Sequence, residues 1–127
     1  EGKKNIYNFS DIEVFTQDLL LISDLLITDY SGIYFDYLLL EKPIIFYCYD
    51  YNKYVSKDRE LYFDYLDNNI TPGPKIYRYL DLKKEILKNL KLPNKYKNNL
   101  KKAKNLFHES INTNASQQIY AFINKNN

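Results

Sequence analysis

Two short apolar runs, Leu25-Leu26-Ile27-Thr28 and Ile44-Ile45-Phe46-Tyr47-Cys48-Tyr49, constrain this chain more than any other feature. Each has the length of a buried strand and is bounded by punctuation. Between them Ile33, Tyr34, Tyr37, Leu38 and Leu40 follow the 3.6-residue period of a helix, which ends before Pro43, where a helix cannot easily continue. A strand, a crossover helix of about eleven residues and a second strand imply parallel pairing with a right-handed crossover. The expected fold class is α/β: a Rossmann-like parallel sheet with flanking helices, with Leu25-Leu26-Ile27-Thr28 as a central strand.

The rest of the chain extends this plan. Ile6-Tyr7-Asn8-Phe9 alternates like a short strand, and Ser10-Asp11 supply capping oxygens for a helix to about Ile22, which the run Leu19 to Ile22 marks as largely buried. Residues 50–75 read as loop over the sheet edge, with Thr71-Pro72-Gly73-Pro74 a rigid turn before a short strand at Ile76-Tyr77-Arg78. From Asp81 onward three helical patterns follow: Leu82, Ile86 and Leu90; Tyr96, Leu100, Ala103 and Phe107; Ala115, Ile119, Phe122 and Ile123.

At 127 residues, 45% of them hydrophobic, the chain is expected to form one domain over residues 1–127. One cysteine, Cys48, excludes an internal disulfide and a thiol-based zinc or redox pair, which fits a reducing cytoplasm. No apolar stretch reaches the ~20 residues of a spanning helix. The N-terminus has neither start methionine nor signal peptide, so a piece of a longer protein is expected. Residues 83–104 hold nine lysines, Lys83 and Lys104 at its ends, against the single acid Glu85. That block has two readings, a solvated helix face or a contact for a densely anionic surface.

In open α/β sheets ligands bind beyond the carboxyl ends of the strands, which directs attention to Thr28-Asp29-Tyr30-Ser31-Gly32, to Tyr49-Asp50-Tyr51 and, third, to Thr71 through Pro74. The helix start after Ser31 offers unpaired N–H groups to a phosphate, and Gly32 allows close approach to that backbone. The alternative is that Ser31 merely caps its own helix. Asp36 falls off the apolar face, available to ligand hydroxyls or simply an ordinary helix carboxylate. The five aspartates Asp24, Asp29, Asp36, Asp50 and Asp64 are scattered without metal-ligand spacing, so no metal and no cofactor is expected. His108, alone beside Phe107, reads as structural or solvent-facing, and no catalytic base can be nominated.

The ordered string Leu20-Leu21-Ile22-Ser23-Asp24-Leu25-Leu26-Ile27-Thr28-Asp29-Tyr30-Ser31-Gly32, Phe35-Asp36-Tyr37 and Lys42-Pro43-Ile44-Ile45-Phe46 resembles the CDP-glycerol glycerophosphotransferase family. Tyr49-Asp50, Arg59, Tyr62-Phe63-Asp64-Tyr65, Pro72-Gly73-Pro74 and Asn114-Ala115-Ser116 continue the resemblance over most of the chain. It implies the C-terminal part of a two-domain, glycosyltransferase-B-like transferase that moves glycerol phosphate from CDP-glycerol to a polymer acceptor, teichoic acid or a relative. The acceptor would be met through a domain not in this chain, and the fragment alone is expected to be inactive.

The resemblance further implies that Ser31 and the Gly32 backbone meet the donor pyrophosphate, flanked by Thr28, Asp29 and Tyr30. Asp36 would meet a donor hydroxyl, and Arg59 would offset phosphate charge. The family usually has a second serine where this chain has Gly32, which keeps other nucleotide-linked donors open. Residues 83–104 would give peripheral contact with the anionic inner face of a bacterial membrane. Nucleic acid is not an expected partner. The competing readings are a nucleotide-sugar transferase of the same architecture and a non-catalytic module for anionic polymers.

Overall fold

The computed structural model describes residues 6–10, 13–56, 62–108 and 114–125. Its elements, in order, are α1 (Thr16–Ile22), β1 (Leu26–Thr28), α2 (Ile33–Leu38), β2 (Ile44–Tyr47), α3 (Tyr51–Ser56), β3 (Lys75–Ile76), α4 (Tyr79–Lys91), α5 (Lys97–Phe107) and α6 (Ala115–Lys125). The three strands form one parallel sheet in the order β1-β2-β3. Leu26 pairs with Ile44 and Thr28 with Phe46, while β3 joins two residues further along β2, Lys75 opposite Phe46. The α/β class expected from the two apolar runs is therefore the observed one.

The continuous apolar character of β2 matches its position: Ile44, Ile45 and Phe46 are all buried, as a strand flanked and covered on both faces must be. Tyr34, Tyr37 and Leu38 of α2 pack with them, and Leu100 and Ala103 of α5 close the cluster from the helical layer. Two long-range contacts fasten α5 to α2. Lys104 Nζ meets Glu41 Oε1 at 2.6 Å, and His108, the residue ending α5, places Nε2 2.8 Å from the Phe35 carbonyl oxygen. His108 is half-buried in this contact, which makes it a structural residue.

Several expectations are corrected. The central strand is β2, not residues 25–28: among the described residues β1 pairs only on one side, and Ile27 is exposed on that edge. Residues 6–9 form no strand, because alternation without a pairing neighbour leaves Ile6 and Tyr7 in solvent. The Asn8 side chain instead accepts from the Ser10 N–H at 3.0 Å and from its hydroxyl at 2.8 Å, turning the chain there.

The following helix starts at Thr16, with extended Phe15 ahead of it; Asp11 of the expected cap lies outside the described residues. That helix is not largely buried, since only Leu20 is covered while Leu21 and Ile22 face outward. Shorter than expected too, the crossover helix has six residues.

Residues 50–75 are more than an edge loop. They contain α3, and they send Tyr65, Thr71 and Pro72 into the interior. The turn Thr71 to Pro74 enters β3 rather than leaving it, so it is not at a strand's carboxyl end; the Pro74 carbonyl accepts from Phe46 N at 3.0 Å. The expected strand shifts to Lys75–Ile76.

Candidate functional site

Where β1 ends, the chain turns sharply into α2 and exposes Asp29, Ser31 and Gly32, with Thr28 and Tyr30 half-buried. Asp29 Oδ1 accepts from the Ser31 N–H at 2.9 Å, the local Asx turn that an aspartate two residues back makes possible. The N-cap position belongs to Gly32, with ordinary helical angles (φ −67°, ψ −6°) and no side-chain cap. Ser31 stands one residue ahead of that position, and its exposed Oγ still accepts from the Ile33 N–H in a long, 3.5 Å bond at the start of α2. A Cβ added at Gly32 would meet only Phe35 ring carbons, the nearest at 3.7 Å, so the glycine is not demanded by backbone shape and a serine fits. One turn on, Asp36 is exposed, off the buried face of Tyr34, Tyr37 and Leu38.

Tyr30 joins this loop to the next. Its ring stacks on Tyr54 of α3 (centroids 3.9 Å apart, planes 19° off parallel), and its hydroxyl donates to Asp50 Oδ1 at 3.3 Å. Tyr51 and Tyr65 stand at 6.3 and 5.3 Å from the same ring. Burial first, then neighbouring Cys48 and Asp50, push the Tyr30 phenol well above its ordinary range, so it remains a protonated donor.

Two depressions open at the carboxyl ends of the strands and share Tyr49. One, of about 340 Å³, is lined by Ile27, Thr28, Asp29, Tyr47 and Tyr49. The other, of about 710 Å³, is lined by Tyr49, Asp50, Tyr51, Asn52, Lys53 and Tyr77. The structure thus brings Thr28, Asp29 and Tyr30 together with the Tyr49-Asp50-Tyr51 loop; Ser31, Gly32 and Asp36 stand on the adjoining start of α2 and line neither hollow. Arg59 lies outside the described residues.

Lys53, Tyr54, Tyr65 and Tyr77 were not expected at the site from the sequence. Lys53 and Tyr54 sit in a helix too short to show a period, and Tyr65 and Tyr77 reach the region only through the tertiary fold. Chemically, the loops present an exposed hydroxyl, a short run of helix-start backbone, carboxylates and aromatic faces, a set suited to a phosphate with a hydroxylated group beside it.

A parallel sheet with helices on its flanks and its polar loops beyond the strand ends defines a Rossmann-like unit resembling the C-terminal half of a glycosyltransferase-B-type enzyme. Residues 1–125 match the family described as CDP-Glycerol:Poly(glycerophosphate) glycerophosphotransferase, and the chain belongs to that family.

Among its relatives is a teichoic acid poly(glycerol phosphate) polymerase of Staphylococcus epidermidis, 38% identical over 122 residues, which are 95% of this chain and 16% of that protein. A teichoic acid poly(ribitol-phosphate) polymerase of Bacillus spizizenii is 48% identical over 68 residues, 54% of this chain and 10% of the relative. The solved wall teichoic acid polymerase TagF, in a variant soaked with CDPG, superposes with a TM-score of 0.64 at 38% identity, covering 86% of this chain and 27% of that one. The chain thus spans a minor part of each protein it matches.

Proposed function

We propose that this chain is a single donor-binding domain of a transferase that moves glycerol phosphate from CDP-glycerol to a surface-polymer acceptor of the teichoic acid type. The observation that carries the reading is the exposed Ser31-Gly32 turn at the end of β1, with Asp36 one turn beyond, in a chain whose family acts with CDP-glycerol. Phosphoryl transfer rests on positioning and on neutralising charge more than on covalent help. In this reading Ser31 and the first N–H groups of α2 receive the pyrophosphate, Asp36 accepts from a donor hydroxyl, and Arg59 offsets phosphate charge. Thr28, Asp29 and Tyr30 shape the floor. The acceptor and the proton-accepting base belong to parts of the enzyme beyond this chain, so the chain alone does not turn over donor.

A second reading concerns the polyol: the ribitol-phosphate relative favours a donor carrying ribitol in place of glycerol. Peripheral attachment to an anionic membrane would run through exposed lysines of α4 and α5, such as Lys83, Lys84, Lys101 and Lys102. No helix among the described residues is long and apolar enough to cross a membrane.

Thermal unfolding with CDP-glycerol, CDP-ribitol, CMP and UDP-sugars tests the assignment. CDP-glycerol at a hundred times its dissociation constant is expected to stabilise the chain by about 2.7 kcal/mol. In a Ser31→Ala, Asp36→Ala double variant that shift is expected to vanish while the unliganded midpoint stays within a few degrees. A larger shift with CDP-ribitol selects the second donor; stabilisation by UDP-sugars alone, or an undiminished shift in the double variant, refutes the proposal.

A further inference from the structure

Besides the Tyr30 contacts with Asp50 and Tyr54, the turn after β1 has a second tie to the rest of the molecule, through its backbone. Tyr65, 2% exposed, donates its hydroxyl to the Asp29 carbonyl oxygen, 36 residues away in sequence. The same Asp29 holds the Ser31 N–H through its carboxylate at 2.9 Å. Tyr65 is itself anchored from behind. Its own carbonyl accepts from the buried Thr71 hydroxyl at 2.6 Å, and the Thr71 N–H donates to the Asp67 carbonyl at 2.9 Å. Lys75 at the start of β3 then donates to the carbonyls of Thr71 and Gly73 and to Asn68 Oδ1. The Tyr65 ring is wedged edge-on against Phe46 of β2, 5.5 Å between centroids, and lies 5.3 Å from Tyr30.

We propose that Tyr65 is a positioning residue for donor binding: the 65–75 segment works as a strut from β3 whose tip, the Tyr65 hydroxyl, sets where Asp29 and hence Ser31 stand. The proposal rests on the reading of Ser31-Gly32 as the pyrophosphate seat. Three features support a positioning role beyond simple filling of space. The bond goes to the backbone of the ligand-facing turn, not to the core. The backbone links behind it, from Thr71 to the Tyr65 carbonyl and from Lys75 to the Thr71 and Gly73 carbonyls, are buried or half-buried hydrogen bonds. Finally, Asp29 is the one residue that both receives the strut and holds the Ser31 amide. Burial keeps the Tyr65 phenol well above its ordinary range, so the donor proton is in place whenever the fold is.

The test is Tyr65→Phe, which removes the hydroxyl and keeps the ring, with Thr71→Val and Thr71→Ser as a second pair. Donor affinity is read by calorimetric titration with CDP-glycerol, and amide hydrogen exchange is read residue by residue without ligand. Tyr65→Phe is expected to weaken donor binding about tenfold, the loss of one hydrogen bond's worth of order. It is also expected to speed exchange at residues 29–33 while β2 and α5 exchange as in the wild type. Thr71→Val is expected to give the same pattern and Thr71→Ser to restore it. Unchanged affinity, or exchange that quickens across β2 and α5 alike, overturns the proposal. If Tyr65→Phe does not fold, the Thr71 pair decides by the same criteria. Should the wild type bind no donor, the functional reading fails, and the exchange pattern alone still decides whether Tyr65 holds the turn.

Discussion

Gly73→Ala is expected to cost more than about 3 kcal/mol, a large share of the roughly 5–15 kcal/mol that holds a domain of this size together. Gly73 has φ +158°, a conformation side chains rarely adopt, and a Cβ there would lie 2.2 Å from the Ile44 carbonyl oxygen. Neither side can yield. Ile44 is a buried residue of the central strand, paired with Leu26, and Gly73 lies between buried Pro72 and Pro74, whose carbonyl accepts from Phe46 N. Backing the loop away would also break the bond from Lys75 Nζ to the Gly73 carbonyl at 3.1 Å. Urea denaturation checks this: the midpoint should fall sharply with the slope nearly unchanged, and a midpoint equal to the wild type's would show that the turn has slack.

Alkaline pH is expected to unfold the chain. Burial pushes the phenols of Tyr30, Tyr34 and Tyr65 well above their ordinary value of 10. The sign follows from linkage. Below pH 10 these tyrosines are protonated in both states, and their contribution to stability is fully present. Above it the unfolded chain sheds protons that the folded chain keeps, so stability falls by about 1.4 kcal/mol per pH unit for each phenol.

Lys75 works in the opposite direction, because burial pulls its ammonium down to about 8 and favours the fold as pH rises toward the ordinary lysine range. It is one group against these three phenols, with Tyr37, Tyr77 and Cys48 raised in the same sense as they are, and its effect ends near the pH where theirs begins. The chain has 14 tyrosines, so the result has a spectroscopic signature. Exposed phenols should ionise first, with the buried ones appearing only as circular dichroism is lost. Ionisation of all 14 in one step near pH 10 with the fold intact would contradict the burial argument.

What the sequence made legible followed from how local each signal is. The strands β1 and β2 and helix α2 were readable because short apolar runs and a 3.6 period encode burial within a few residues, and Pro43 marks where the helix must stop. Helices α4, α5 and α6 were readable for the same reason. The 6–9 segment misled because alternation describes a strand only when a neighbour exists to pair with. Ser31 was legible as a residue bonding the start of α2, which its Oγ does through the Ile33 N–H, but the Asx turn by which Asp29 holds the Ser31 amide was not read.

The 62–75 segment fell within residues 50–75, read as loop because the stretch is rich in charge and aromatics and Thr71-Pro72-Gly73-Pro74 signals a rigid turn. Its burial depends on Tyr65 finding Asp29 and Thr71 finding the Tyr65 carbonyl, partners that no local pattern announces. In the candidate site, Thr28 to Gly32 and Asp50 were legible as strand-end residues. The tyrosines that cluster around Tyr30 were not, since two segments distant in sequence, α3 and the loop at Tyr65, supply them.

The two contacts fastening α5 to α2 have a kinetic side. Lys104 reaches Glu41 across 63 residues and His108 reaches Phe35 across 73, whereas β1 and β2 meet across a single crossover. Closing a longer loop forfeits more chain entropy, about 0.6 kcal/mol for each doubling, before any contact forms to offset it. The β1-α2-β2 unit is therefore expected to assemble first and α5 to dock onto it late, the reverse order holding when the molecule opens. Native-state hydrogen exchange would register this as α5 amides opening at lower free energy than those of β2, and simultaneous opening would argue for a single cooperative block. The turn after β1, carried by the early unit, would then exist in outline before the helical layer that covers its back has arrived.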